Sequence, residues 1–317
     1  MLVNRNILPY LSGICMAAIF GFSFLFTKEA LNNITPFHLL AFRFGVSVLV
    51  LSMLKMVKVI RVDFSGKDLK PLMAIAFVQP VSYFVFETIG IYLASSSEAG
   101  MVIALIPVAV TILAAVFLKE HPSPLQTVCV ILSVAGVIYI LICKSTTAAQ
   151  KNLIGISALL FAVLSASVFN ILARKFSRHF KPLEITFFMS WAGAVVFNVI
   201  AVSQHLLRGE IAHYFTPLFD TKVLIPVMYL GILSSTGAFF LMNYTLSRLE
   251  AYRSSVFANL ASVISILAGV MIKHEPFYLY HLIGSALIIM GVWGTNYFGT
   301  RSGIKTYKSK HTYITEK

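Results

Sequence analysis

Phe117-Leu118-Lys119-Glu120-His121-Pro122 and Ile272-Lys273-His274-Glu275-Pro276 read as two versions of one phrase. Each is followed by a Gly-Val pair 16 residues after its glutamate, Gly136-Val137 and Gly291-Val292. Both phrases close a long apolar run, and Pro36 and Pro182 stand just before the second and seventh such runs. Spacing matched in this way indicates a chain of two related halves; chance likeness among apolar segments is the competing reading.

Around these phrases, 58% of the 317 residues are hydrophobic and 12% charged, 13% are aromatic, and the mean hydropathy is +0.85. Soluble domains run nearer half apolar and a quarter charged, so this chain has too little polar surface to face water. It reads as an all-α, polytopic membrane protein. A bilayer core takes roughly 20 apolar residues of helix. Ten runs of about that length lie at 8–27, 37–54, 71–94, 99–118, 124–142, 153–173, 183–203, 223–246, 254–272 and 279–298. The first follows Arg5 but is long for a cleaved leader, so an uncleaved span is expected. The expected organisation is a first repeat at 1–148, a second at 149–298, and a disordered basic tail at 299–317 near anionic headgroups. No folded soluble module accompanies these segments, which weighs against a receptor with signal output.

The charge is unbalanced, with 25 Lys plus Arg against 12 Asp plus Glu, a formal +13 and a pI near 9.7. With the N-terminus inside, the inner segments hold 18 basic residues and the outer loops 6. That bias places both termini in the cytoplasm of a multi-pass cell-membrane protein. It also removes nucleic acid as a partner, because the charge is spread over short segments and makes no domain-sized patch. With five spans per half, the second half enters the bilayer from the opposite side. Inverted repeats of this kind recur in secondary transporters, where two halves rock about one site.

Chemistry of other classes is missing from the sequence. Asp63, Asp68 and Asp220 all fall in loops, so no intramembrane aspartyl pair is available. There is no His-Glu-x-x-His and no phosphate-cradling Gly-x-x-x-x-Gly-Lys-Ser/Thr. Cys15, Cys129 and Cys143 sit in or at the end of apolar runs and imply neither a disulfide framework nor a metal site. The expectation is a gradient-driven protein, not an enzyme, with no cofactor and no metal, as a monomer or homodimer.

Ionisable groups at membrane depth cost about 2.5–3.5 kcal/mol on insertion scales, so those present usually face the protein interior. Arg43 lies six residues in from the outer end of the second run and Glu87 about seven in from that of the third. At 1.5 Å per residue both sit roughly 9–11 Å deep and can meet. Gln79, Tyr83 and Glu87 recur at helical spacing on one face. Arg43 suits a substrate carboxylate, and Glu87 suits a proton or a substrate ammonium; a static Arg43–Glu87 ion pair is the alternative. Asn170, Asn243 and Asn259 lie toward the inner side, as substrate contacts or as caps for neighbouring backbone. Asn243 continues a seven-residue series with Tyr229 and Thr236. Trp191 and the run Phe20, Phe22, Phe24, Phe26 are candidate cavity walls or simply packing and lipid-facing side chains. Pro80, Pro107 and Pro226 are expected to interrupt their helices. Glu120 and Glu275 are expected at span ends, orienting loops. The outer loop at 204–222 is expected to be solvated, or to fold over an outer vestibule.

The chain resembles an EamA-type, ten-span member of the drug/metabolite transporter superfamily over about residues 8–298. The match rests on Phe20-Gly21-Phe22-Ser23-Phe24-Leu25-Phe26 leading into Lys28-Glu29-Ala30-Leu31, on Pro36 followed by Arg43, and on Pro107 followed by Leu118-Lys119-Glu120. Gly136-Val137, Glu275 and Gly291-Val292 complete it. The resemblance implies a secondary carrier, or permease, for small organic solutes such as amino acids, metabolites or drugs, frequently by efflux. A non-transporting scaffold or receptor, and an uptake carrier for a nucleotide-sugar-like or polyamine-like solute, are the alternatives.

Overall fold

The computed structural model describes residues 7–93, 102, 103, 105–144, 153–273 and 278–312, and these form helices and turns with no strand among them. Six helical stretches are long and apolar enough to cross a membrane: Leu8–Leu31, Pro36–Met56, Lys70–Leu93, Ile154–Phe176, Pro182–Leu207 and Thr221–Arg248. Ile106–Leu118, Pro124–Gly136 and Leu282–Phe298 are shorter apolar helices that coincide with expected runs.

In chain order the first half contains α1 (Leu8–Leu31), α2 (Pro36–Met56) and α3 (Lys70–Ala76), which passes through a π-helical stretch, Phe77–Ser82, into α4 (Tyr83–Leu93). Then come α5 (Ile106–Leu113), a second π stretch (Ala114–Leu118) and α6 (Pro124–Lys144). The second half has α7 (Leu153–Phe176), α8 (Pro182–Leu207) and α9 (Thr221–Met228), which passes through a π stretch, Tyr229–Ala238, into α10 (Phe239–Arg248). Short α11 (Ala251–Ser255), α12 (Phe257–Lys273) and α13 (Leu279–Thr312) follow. α13 continues to Thr312, through residues that the sequence assigned to a disordered tail. Glu275 and the expected repeat boundary at 148–149 lie outside the described residues.

The packing exchanges onto itself when the halves are swapped. α2 packs on its counterpart α8, and α6 on α13. α1 packs on α12 and on the α9–α10 span, just as α7 packs on the α5 span and on the α3–α4 span. Lipid offers no hydrophobic drive between helices, so close backbone approach through small residues has to hold such pairs. The two Gly-Val phrases provide it. A Cβ on Gly136 would lie 2.7 Å from the Gly284 carbonyl, and one on Gly291 2.6 Å from the Cys129 carbonyl. Cys129 precedes Gly136 by the same seven residues as Gly284 precedes Gly291, so the α6–α13 seam is built twice from one pattern.

Two of the three prolines stand where a helix is interrupted, as expected, and one does not. Pro80 sits within the first π stretch beside Gln79, whose φ −146° and ψ 120° leave helical space. Pro226 stands in α9 just before the third π stretch. Pro107 instead occupies the first turn of α5, where its missing N–H costs nothing, so it starts a helix and does not break one.

Two loops are pinned to the α2–α8 pair. At one end of the pair, Lys67 Nζ lies 2.6 Å from Glu184, which also accepts the Lys181 backbone N–H at 2.9 Å and so caps α8. At the other end, Tyr214 is buried, its carbonyl 2.9 Å from His38 Nε2, and its hydroxyl donates to Asn198 Oδ1 at 2.9 Å. Burial pushes the Tyr214 hydroxyl up to about 12, so it stays a donor. The outer loop therefore docks on α2 and α8 through Tyr214, and none of residues 204–222 reaches the central cavity.

Candidate functional site

A cavity of about 100 Å³ lies among α1, α2, the α3–α4 span, α7, α10 and α11–α12. Met16, Phe20, Phe24, Phe84, Phe239 and Met242 give it an apolar wall; Arg43, Gln79, Tyr83, Glu87 and Asn170 bring polarity. An apolar cavity of about 150 Å³ accommodates benzene, so this one, as closed here, suits a solute no larger than a small metabolite.

Arg43 comes from α2, lines the cavity and is 4% exposed. Its Nε donates to Ser235 Oγ at 2.7 Å and its Nη2 to Ser234 Oγ at 2.8 Å, both in the π stretch of the α9–α10 span. Its guanidinium lies 4.4 Å from the centre of the Phe84 ring, a cation–π distance. Glu87, 8% exposed, takes a 2.9 Å hydrogen bond from the Tyr83 hydroxyl. Among the described residues no ion pair joins Arg43 to Glu87, so the static pair considered from sequence is not formed. The two charges instead face one cavity, each held by neutral partners. A guanidinium on hydroxyls and a ring face retains capacity for an anion, and a carboxylate with one hydroxyl donor retains capacity for a proton or cation.

The stripe Gln79, Tyr83, Glu87 converges on the cavity although the helix breaks at its first member. The break aims Gln79 inward: it is 5% exposed, and among the described residues its amide meets no hydrogen-bond partner. Asn170 lines the cavity while donating to its own helix at Ala166 O, 2.8 Å away.

The other expected side chains lie elsewhere. Trp191 is 44% exposed on the outside of α8, against Phe187. Asn243 donates to Thr186 Oγ1 at 3.0 Å and Asn259 to Ser133 Oγ at 3.1 Å; both are helix-to-helix ties outside the cavity lining. The seven-residue series does not hold one face, because π winding changes the residues per turn. Tyr229 bonds Ile19 O, Thr236 bonds Ser47, and Asn243 reaches Thr186. Of the Phe run, Phe20 and Phe24 face the cavity, whereas Phe26 stacks on Tyr229.

Sequence reasoning missed Ser234, Ser235, Ser254 and Ser255, since single serines in apolar runs carry no periodic signal. It also did not single out Arg253. That residue is 6% exposed, bonded to Glu250, to the Tyr10 hydroxyl and to Asn296 O at the start of α11.

Comparison with known proteins agrees with this arrangement. A solved crystal structure of a protein superposes with a TM-score of 0.74 at 21% identity, over 91% of this chain and 98% of its own, a likeness of fold. The Uncharacterized transporter YcxC of Bacillus subtilis (strain 168) is 36% identical over 296 residues, 93% of this chain and 95% of its own length. An Uncharacterized transporter of Archaeoglobus fulgidus is 25% identical over 274 residues, 86% of this chain and 93% of that protein. These relatives are transporters, not enzymes. Residues 7–142 and 153–297 each match one family, so the repeat read from two short phrases extends over both halves, and the chain belongs to the EamA-like transporter family.

Proposed function

We propose that this membrane transporter is a secondary active exporter of a small organic solute, zwitterionic or aromatic, moved by alternating access through the central cavity and driven by a proton gradient. In this reading ten helices form two inverted five-helix halves with both termini in the cytoplasm. The observation that carries it is the pair of buried, oppositely charged side chains, Arg43 and Glu87, that line one cavity with no direct ion pair between them. Burying either charge is costly, and a zwitterion supplies the missing partner to both. Arg43 receives the carboxylate, Gln79 offers its free amide, and Glu87 takes the ammonium or exchanges a proton. The volume of about 100 Å³ supports a small zwitterion over a nucleotide sugar, and Arg43 disfavours a polyamine.

The test is flux in proteoliposomes, with a panel of amino acids and amphiphilic amines and an imposed pH gradient. Gradient-dependent counterflow of a zwitterion is the expected result. No counterflow across the whole panel would favour a non-transporting scaffold.

A further inference from the structure

At one end of the cavity four helix ends meet on a single ion pair. Glu120 follows the second π stretch through a left-handed turn at Lys119, φ 55°. Its Oε1 accepts from Arg174 Nε at 2.9 Å and its Oε2 from the Ala251 backbone N–H at 2.7 Å. Arg174 extends a second arm, Nη1, to the Leu246 carbonyl at 3.1 Å. One ion pair thus ties the end of the α5 span to the ends of α7 and α10 and to the start of α11.

Every tied residue of the second half lies one helical turn from a residue that lines the cavity. Asn170 precedes Arg174 by four residues, Met242 precedes Leu246 by four, and Ser254 follows Ala251 by three. At 1.5 Å per residue that is roughly 4.5–6 Å along each axis, so the pair forms the layer directly beneath the cavity. The pair is partly exposed, with side chains 24% and 15% accessible. Partly exposed ion pairs separate at far lower cost than buried ones, which suits a contact that opens and closes in every cycle.

We infer that Glu120 and Arg174 form the inner gate of the carrier, closing the cavity floor by clamping three helix ends of the second half onto the first. The inference rests on the alternating-access reading above. Separating the pair frees α7, α10 and α11 together, because one carboxylate serves Arg174 and Ala251 while one guanidinium serves Glu120 and Leu246.

The experiment reads access and not flux. Ser254→Cys is placed in full-length protein whose Cys15, Cys129 and Cys143 are replaced by alanine, and a membrane-impermeant maleimide is applied to right-side-out and inside-out vesicles. Glu120→Gln is expected to raise labelling from the inner side at least several-fold and to lower it from the outer side. Arg174→Lys, which keeps the charge but withdraws the arm to Leu246, is expected to do the same to a smaller extent, and serves if Glu120→Gln does not fold. Labelling unchanged on both sides in folded variants would overturn the gate while leaving the transport reading intact. A parent protein that labels from neither side, whatever the variant, would overturn alternating access itself and the gate with it.

Discussion

Arg43 reaches from the first half to Ser235 in the second, with Nε 2.7 Å from the hydroxyl, so the positive charge of the cavity is held across the boundary between the halves. The same guanidinium keeps Ser234 at 2.8 Å through Nη2. A planar fork with several donors makes this contact and still presents a face to the cavity; an ammonium does not.

Arg43→Lys therefore keeps the charge and loses the fork. A loss of about 1.5–3 kcal/mol, typical of a hydrogen bond to a charged group, raises KM for a carboxylate-bearing solute roughly 10- to 150-fold. Initial-rate flux at varied solute concentration measures it, with the maximal rate less affected than KM.

Glu87→Gln retains the Tyr83 hydrogen bond in shape and removes the exchangeable proton. The expected outcome is folded protein whose flux no longer responds to a pH gradient while solute–solute exchange persists. Unchanged gradient-driven flux would exclude Glu87 as the coupling group.

Gly136 and Gly291 allow two backbones to touch, and neither tolerates a side chain: the added Cβ would lie 2.7 and 2.6 Å from a carbonyl oxygen. Gly136→Ala or Gly291→Ala is expected to lower thermal stability in detergent by about 1–3 kcal/mol through overpacking. Gly45 in α2 has nothing within 4 Å of its Cβ position, so Gly45→Ala is neutral, or stabilising by up to about 1 kcal/mol through helix propensity. Equal effects at all three positions would contradict the seam.

Trp191→Ala leaves solute flux unchanged, because that ring lies 44% exposed on the outside of α8 and does not line the cavity. A fall in affinity would place the site elsewhere.

Tyr214 makes the outer loop sensitive to alkali. With its hydroxyl raised from 10.0 to about 12 by burial, the stability it contributes is full below pH 10 and falls as pH rises toward 12. Thermal unfolding across that range shows the decline in the native protein, and Tyr214→Phe makes it shallower.

Much of this was legible in the residues. The repeat showed because Gly136 and Gly291 have a steric duty that no other residue fills, and such duties leave matched letters at matched spacing. Arg43 and Glu87 showed because charge at membrane depth is costly and hence rare. Asn243, Asn259 and Trp191 misled for a related reason: an amide or indole at depth satisfies a neighbouring helix as readily as a ligand. Ser234 and Ser235 stayed hidden, because a small hydroxyl in an apolar run becomes informative only once its partner is known. The face shared by Tyr229, Thr236 and Asn243 was lost to π winding, which counting residues at α-helical spacing does not foresee.

Among the described residues, the α6–α13 seam contributes no side chain to the cavity, although it is an extensive contact between the halves. In the proposed cycle those two helices serve as a keel, a fixed pair for the other helices to move against. Relatives could carry different solutes on the same keel, with the chemistry of selection confined to the helices around Arg43.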